Sequence, residues 1–411
     1  MSRLLLLVPT ASYRASAFVD AAKRLDIDIT LASDQPSSLS KFHPVDLITL
    51  DFSRPERCAD QIESFSSLHS VAGVVAVDDQ TTVAASAIAA RLGLPHNPPP
   101  AAYATRNKLS MRNQLSHAGI PVPEFFTVGV DGNARELAAN VQYPCVIKPL
   151  MLAASRGVIR CDTVEEFIKA HEKIRQIVTA ADAPDDVSSR SKLLVESYVE
   201  GWEVAVEGIM TDGKLHVFTI FDKPDPLQGP YFPESIYTSP CRLPADVQKH
   251  IVSMTSDAVA ALGLVTGPVH AELRGSNGGL WFIEVASRSI GGYCSRVLEF
   301  ENGLSLEDVI VRHALDPHAS LPSLEGGACG VMMLQAPQAG VFREAHGLDR
   351  ARNTDGIKEI IVSAYPGQRL KPLPEGFLYI GFVFAGHDTP EKVEAALRAA
   401  HNNMQFIIGP D

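Results

Sequence analysis

The segment Gly267–Gly292 constrains this chain most. Two short alternating runs, Val269–Arg274 and Leu280–Val285, flank a Gly/Ser/Asn turn, and that pattern predicts a β-hairpin. Pairing Ser276 with Leu280 around a three-residue loop sets Glu272 directly opposite Glu284. Like charges facing each other across a sheet are destabilising. A hard dication between them removes the penalty, and Mg²⁺ takes one or two carboxylates together with phosphate oxygens. Arg288 and the pair Gly291 and Gly292 follow at once, adding a fixed cation and open backbone N–H groups. The hairpin therefore reads as one wall of a metal–phosphate site. Taken alone it also fits a surface hairpin with two solvated carboxylates, so the rest of the chain has to decide.

The first 98 residues alternate in type. Arg3–Val8, Ile27–Ala32 and Val71–Val77 read as strands, and Ala15–Leu25 and Thr81–Leu92 as helices. Such alternation predicts a parallel sheet. A dinucleotide-binding first turn would carry Gly-x-Gly-x-x-Gly, but residues 9–14 read Pro-Thr-Ala-Ser-Tyr-Arg, which excludes a nicotinamide site there and a dehydrogenase with it. Asp78 and Asp79 close the third strand and could face a cleft, but capping the helix that follows is the expected role. Asn97 to Pro100 reads as a rigid linker and a first boundary. Beyond it come a helix near Lys108–Ala118, a strand at Phe125–Val128, a helix at Ala134–Asn140, strands at Pro144–Pro149, Leu193–Val199, Glu203–Met210 and Leu215–Phe221, a helix at Val247–Leu262, the hairpin, and a helix near Ser305–Ala314. Residues 180–191 read as a polar loop. Residues 222–240 hold five prolines and read as a long functional loop. A second boundary falls at His318–Pro322, followed by strands at Ala328–Gln335, Ile357–Ser363 and Tyr379–Ala385 and a closing helix at Pro390–Asn402.

Composition narrows the partners. A formal net charge of -12 over 411 residues argues against nucleic acid and anionic membranes. The six cysteines include no Cys-x-x-Cys pair, so reduced thiols and a cytoplasmic setting are expected. The N-terminal apolar run is too short for a signal segment, and no stretch is long enough to span a membrane.

Several charged residues then call for ligands. Lys148 lies on an apolar strand between prolines, where a lone ammonium is costly to bury. Lys108 opens a helix after Asn107. Glu196, Val199 and Glu203 sit where a strand ends at Gly201; main-chain groups at such a place can hold an adenine, and a carboxylate can hold ribose hydroxyls. Taken in order with Glu272, Glu284 and Arg288, these residues resemble the ATP-grasp superfamily. The resemblance rests on Arg106-Asn-Lys108 with Gly119-Ile-Pro-Val-Pro123, on Pro144-Cys-Val-Ile-Lys-Pro149, on Val195-Glu-Ser-Tyr-Val-Glu-Gly-Trp-Glu203 and on Phe282-Ile-Glu-Val-Ala-Ser-Arg288.

The resemblance covers residues 100–315 and implies the architecture. An N-terminal parallel α/β domain (1–98) would precede an ATP-grasp fold of two α+β subdomains (99–317, split near 190) and a C-terminal α+β domain (318–411). It implies that Lys108 and Lys148 hold ATP phosphates, that Ser155 and Gly157 give them N–H donors, that Glu196 and Val199 meet adenine, and that Glu203 meets ribose. Glu272 and Glu284 would hold Mg²⁺ or Mn²⁺. Arg288 would stabilise an acyl phosphate or bind the substrate carboxylate, with Gly291 and Gly292 beside it. The catalytic set would be Lys148, Glu284 and Arg288. Within the superfamily the chain is similar to the L-amino-acid ligases, carboxylate–amine ligases that join two amino acids through an acyl phosphate with release of ADP and phosphate. That places Tyr231, Glu234 and His270 near substrate and allows a homodimer. Two departures stand out: Ala286 replaces the Asn usual in the family, and the loop 150–157 has a single Gly. A bicarbonate-activating biotin-carboxylase-like or purine-biosynthetic ligase, and a nucleotide-binding protein without catalysis, are the alternatives.

Overall fold

A computed structural model describes residues 3–37, 45–180, 187–276, 278–376 and 378–410. The N-terminal sheet has the order β3-β2-β1-β4, built from β1 (Arg3–Leu7), β2 (Asp28–Ser33), β3 (Leu47–Thr49) and β4 (Val71–Ala76), and every pairing is parallel. Its first strand explains the unbroken apolar run. Leu4 and Leu6 enter one core with Phe18 of α1 (Ala15–Arg24), and Leu5 and Leu7 enter another with Ile62 of α2 (Pro55–Ser66) and Ile88 of α3 (Thr82–Arg91). A strand buried on both faces has no polar positions to spare.

The prolines near residue 98 do not form an extended linker. Pro99 and Pro100 occupy the first turn of α4 (Pro99–Arg106), where the missing N–H groups would have had no helical partner anyway. Helix α5 (Lys108–His117) follows after one residue. Asn107 caps it, its side chain accepting from the Ser110 N–H at 3.0 Å, a contact worth about 1 kcal/mol. The cap fixes where the helix begins and so where Lys108 points.

A four-stranded sheet of order β5-β8-β6-β7 comes next, from β5 (Phe125–Gly129), β6 (Cys145–Pro149), β7 (Ile159–Cys161) and β8 (Lys192–Ser197). Helices α6 (Ala134–Ala138) and α7 (Val164–Ala180) accompany it. Residues 187–190 are helical rather than loop, and 181–186 lie outside the described residues.

The central sheet has eight strands. Five are β9 (Trp202–Thr211), β10 (Lys214–Lys223), β11 (Ile236–Ser239), β12 (Gly267–Ser276) and β13 (Gly279–Ala286). The order is β13-β12-β9-β10-β11, continued by Ala328–Leu334, Gly381–His387 and Ile357–Val362. The sheet thus runs on past residue 318, and β11 is the bridge. Residues 222–240 are not one loop: Asp222 and Lys223 end β10, and the buried strand β11 lies inside the proline-rich stretch.

The hairpin differs from the expected one in a way that conserves its consequence. Ser276 pairs with Gly279, not Leu280, so the connection is two residues long. Leu273 pairs with Phe282 but Glu272 pairs with Glu284. Ile283 is therefore the extra residue of a β-bulge, which shifts the register by one and restores Glu272 opposite Glu284.

Candidate active site

Two cavities meet beside this hairpin. One is lined by Lys108, Lys148, Val199, Glu203 and Phe232 among others. The second is lined by Arg14, Asp79, His270, Arg288, Gly291 and Gly292 among others. Ser155, Glu234, Glu272 and Glu284 line both. The junction is therefore acidic, with lysines behind it on one side and an arginine on the other.

Lys108 is almost fully buried. Its ammonium donates to the Leu152 carbonyl at 2.8 Å and to Glu284 Oε1 at 3.0 Å. Lys148, also buried, ion-pairs with Glu196 Oε2. Burial pulls its pKa down against the pull of Glu196. The other Glu196 oxygen accepts from Arg112 Nε at 2.5 Å. Burial alone would raise the Glu196 pKa, but Arg112 and Lys148 outweigh it and hold the carboxyl below its usual range. Arg112 also donates through Nη2 to the Ile283 carbonyl at 2.5 Å. That carbonyl belongs to the bulge residue, so one buried guanidinium ties the hairpin register to the carboxylate that holds Lys148.

Lys223 gathers three acids. Its ammonium lies 2.6 Å from Glu203, 3.0 Å from Glu234 and 3.4 Å from Glu272. Arg274 approaches the second Glu203 oxygen at 3.4 Å. Burial, together with neighbouring Glu272 and Glu203, pushes the Glu234 carboxyl up to about 7 despite Lys223. Burial pushes Glu272 the same way, but Lys223 and His270 prevail and its pKa falls. His270 stands between two acids, with Nδ1 3.0 Å from Glu207 and Nε2 3.5 Å from Glu272. Burial opposes its charge, yet the two carboxylates win and its pKa rises. Glu203, Glu234 and Glu272 lie close enough to share a cation; here Lys223 already supplies that charge.

Arg288 closes the second cavity. It donates through Nη2 to Asp79 Oδ2 at 2.7 Å and through Nη1 to the Ser289 carbonyl at 2.8 Å. Asp78 and Asp79 make no helix cap. Asp78 faces Arg14 at 3.6 Å instead, and both acids line the cavity. Their charges are balanced by Arg14 of the same domain and by Arg288 after the hairpin.

Comparison with known proteins places this geometry. The ATP-grasp domain model matches residues 141–297, the ATP-grasp N-terminal domain model residues 19–96, and the L-amino acid ligase C-terminal domain 2 model residues 332–409. The chain belongs to the ATP-grasp superfamily. It is 27% identical to alanine–anticapsin ligase of Bacillus subtilis over 291 residues, which are 66% of this chain and 60% of that enzyme. It is 22% identical to uncharacterized protein y4rH of Sinorhizobium fredii over 413 residues, 100% of this chain and 84% of the other. The crystal structure of L-amino acid ligase from Bacillus licheniformis superimposes with a TM-score of 0.83 at 23% identity, covering 99% of both chains. That likeness is one of fold.

Lys108, Lys148, Glu196, Val199, Glu203, Glu272 and Glu284 all line the first cavity. The Glu196 side chain faces Lys148 and Arg112, and both Glu203 oxygens face cations. Two residues sit elsewhere. Gly157 lines neither cavity, and its N–H is spent on the Pro374 carbonyl at 3.0 Å. Ser155 does reach the junction, because Ala154 and Ser155 both adopt φ of 56°; such left-handed residues are uncommon outside glycine and cluster at functional sites. Tyr231 is exposed and lines neither cavity, while its neighbour Phe232 faces the first. Sequence reasoning missed Arg112 and Lys223 as the centre of the acid cluster, and for Asp79 it preferred a helix cap over the cleft that the residue lines. Arg112 gave a faint signal, a second basic residue among the buried positions of α5.

Proposed function

We propose that this chain is an ATP-dependent carboxylate–amine ligase that joins two amino acids into an amide through an acyl phosphate. The observation that carries the reading is the pair of adjoining cavities, one with buried lysines and one with Arg288, that meet at Glu272 and Glu284. The likeness to alanine–anticapsin ligase and to an L-arginine-specific L-amino acid ligase supports amide-bond chemistry, and amino-acid substrates are proposed from the same likeness.

The residues suit the reaction. Lys108 and Lys148 bring positive charge to the phosphate end of ATP. The substrate carboxylate, placed in the second cavity against Arg288, attacks the γ-phosphorus in line. The new P–O bond forms as the bond to ADP breaks. An amine then attacks the acyl carbon, the C–N bond forms, and phosphate leaves as the C–O bond breaks. The ammonium protons pass to phosphate and solvent. Glu272 and Glu284 face each other as hard oxygen donors, each balanced here by a lysine, which is a donor set that fits Mg²⁺ or Mn²⁺. Such an ion, when bound, supplies charge neutralisation for phosphoryl transfer. Residues 153–155 and Glu234 line both cavities and Phe232 lines the first, a placement that suits them to keep water from the acyl phosphate.

The test is a phosphate-release screen of paired amino acids with ATP and Mg²⁺, read by mass spectrometry. The expected product has the summed mass of two amino acids less one water, with ADP formed in equal amount. Turnover that requires bicarbonate, or none with any amino-acid pair, would overturn the reading.

A further inference from the structure

Arg288 lies after the hairpin on residues 287–293, which belong to no strand. Nothing on its own element except the Ser289 carbonyl holds its guanidinium. Among the described residues its other side-chain hydrogen bond comes from the N-terminal domain. Asp79, on the turn after β4, takes Nη2 at 2.7 Å. A second contact repeats the junction one residue on: Arg14 donates to Ser289 Oγ at 2.5 Å and to the Val77 carbonyl at 2.6 Å. Asp79 and Arg288 line the same cavity.

An arginine carries many rotamers, and its planar fork is useful only when its plane is set. Asp79 holds one edge of the fork, which leaves other N–H groups for a ligand in the cavity. We propose that Asp79 is the positioning residue for Arg288, so that the N-terminal domain completes the geometry of the acyl-transfer site. The inference rests on the reading that Arg288 meets the substrate carboxylate or the acyl phosphate. The charges agree with it. Burial would raise the Asp79 pKa, but Arg288 outweighs burial and, with Lys108 and Arg106 nearby, keeps the carboxyl ionised below its usual range.

The test uses the full chain and four variants: Asp79→Asn, Asp79→Ala, Arg288→Ala and the double variant Asp79→Ala with Arg288→Ala. Phosphate release is followed from MgATP with an equimolar mixture of the twenty proteinogenic L-amino acids. Asp79→Ala is expected to lower kcat by roughly tenfold to a hundredfold, the scale of a misplaced catalytic contact, with the KM for ATP little changed. In the Arg288→Ala background the same substitution should add a loss of no more than about twofold, since residues that act through one another are not additive. Asp79→Asn keeps the size and one acceptor oxygen; it should fall between wild type and Asp79→Ala, and it carries the comparison if thermal melting finds the alanine variant unfolded. Losses that multiply in the double variant, or wild-type kcat in Asp79→Ala beside an impaired Arg288→Ala, overturn this inference alone. Wild-type turnover in Arg288→Ala overturns the assignment of Arg288 and this inference with it.

Discussion

The Arg112–Glu196–Lys148 cluster separates a stabilising charge from a ligand-binding one. Consider Lys148→Met and Arg112→Met. Lys148→Met removes one partner of Glu196, but Arg112 remains at 2.5 Å. The loss is close to that of one charge-assisted hydrogen bond, about 1.5–3 kcal/mol. Arg112→Met removes a donor from Glu196 and another from the Ile283 carbonyl at the bulge. Two buried acceptors then lose a partner at once, and the cost should approach the ~3–5 kcal/mol seen when buried ion pairs are broken. Urea or thermal unfolding should therefore rank wild type above Lys148→Met and Lys148→Met above Arg112→Met. Saturating MgATP adds a second axis. At a hundredfold excess over Kd a ligand stabilises the folded state by about 2.7 kcal/mol. Wild type should show that gain, and Lys148→Met should lose most of it. A Lys148→Met variant less stable than Arg112→Met, or one that melts higher with MgATP as wild type does, would refute the division of labour argued here.

Glu284→Ala should abolish turnover and also lower the unfolding midpoint, because it takes the carboxylate partner from the buried Lys108 ammonium; wild-type rates in the purified variant would remove it from the site. Arg288→Lys should be strongly impaired in phosphate release, since one ammonium cannot serve both Asp79 and the Ser289 carbonyl in the guanidinium plane; an unchanged rate would contradict that. His270 has a folded pKa above its ordinary 6.5, so its contribution to stability is fully present below pH 6.5 and is lost as pH rises through the folded value. His270→Gln should flatten that part of the stability–pH profile, and a profile of unchanged slope would exclude His270 as its source. Tyr231→Ala should leave kcat and KM near wild type, whereas Phe232→Ala should raise the KM for ATP; the opposite pattern would reverse the placement of the two rings.

Much of the site was legible because its residues lie where local pattern is strong. Asn107 before Lys108, the proline-bounded strand that carries Lys148, and the alternating runs around Glu272 and Glu284 are all short-range signals. Other features depend on contacts distant in sequence. Arg112 is 171 residues from the Ile283 carbonyl it holds, and Asp79 is 209 from Arg288. The proline-rich stretch hid β11 because four residues are too few to show a period. The hairpin gave the right facing pair from the wrong turn, since a bulge at Ile283 offset a loop one residue shorter than expected.

The sequence by itself determined the types of those elements with a clear period or cap, the parallel N-terminal sheet and the ordered set of charged residues that resembles the ATP-grasp superfamily. Periodicity, caps and turn residues act over a few positions, so one chain suffices to read them. Only the tertiary structure decided which charges meet: Lys223 among three acids, Arg112 on the bulge, and Asp79 of the first domain on Arg288. Ion pairs depend on distance in space, and the long-range packing that brings these groups together leaves no local trace in the order of residues.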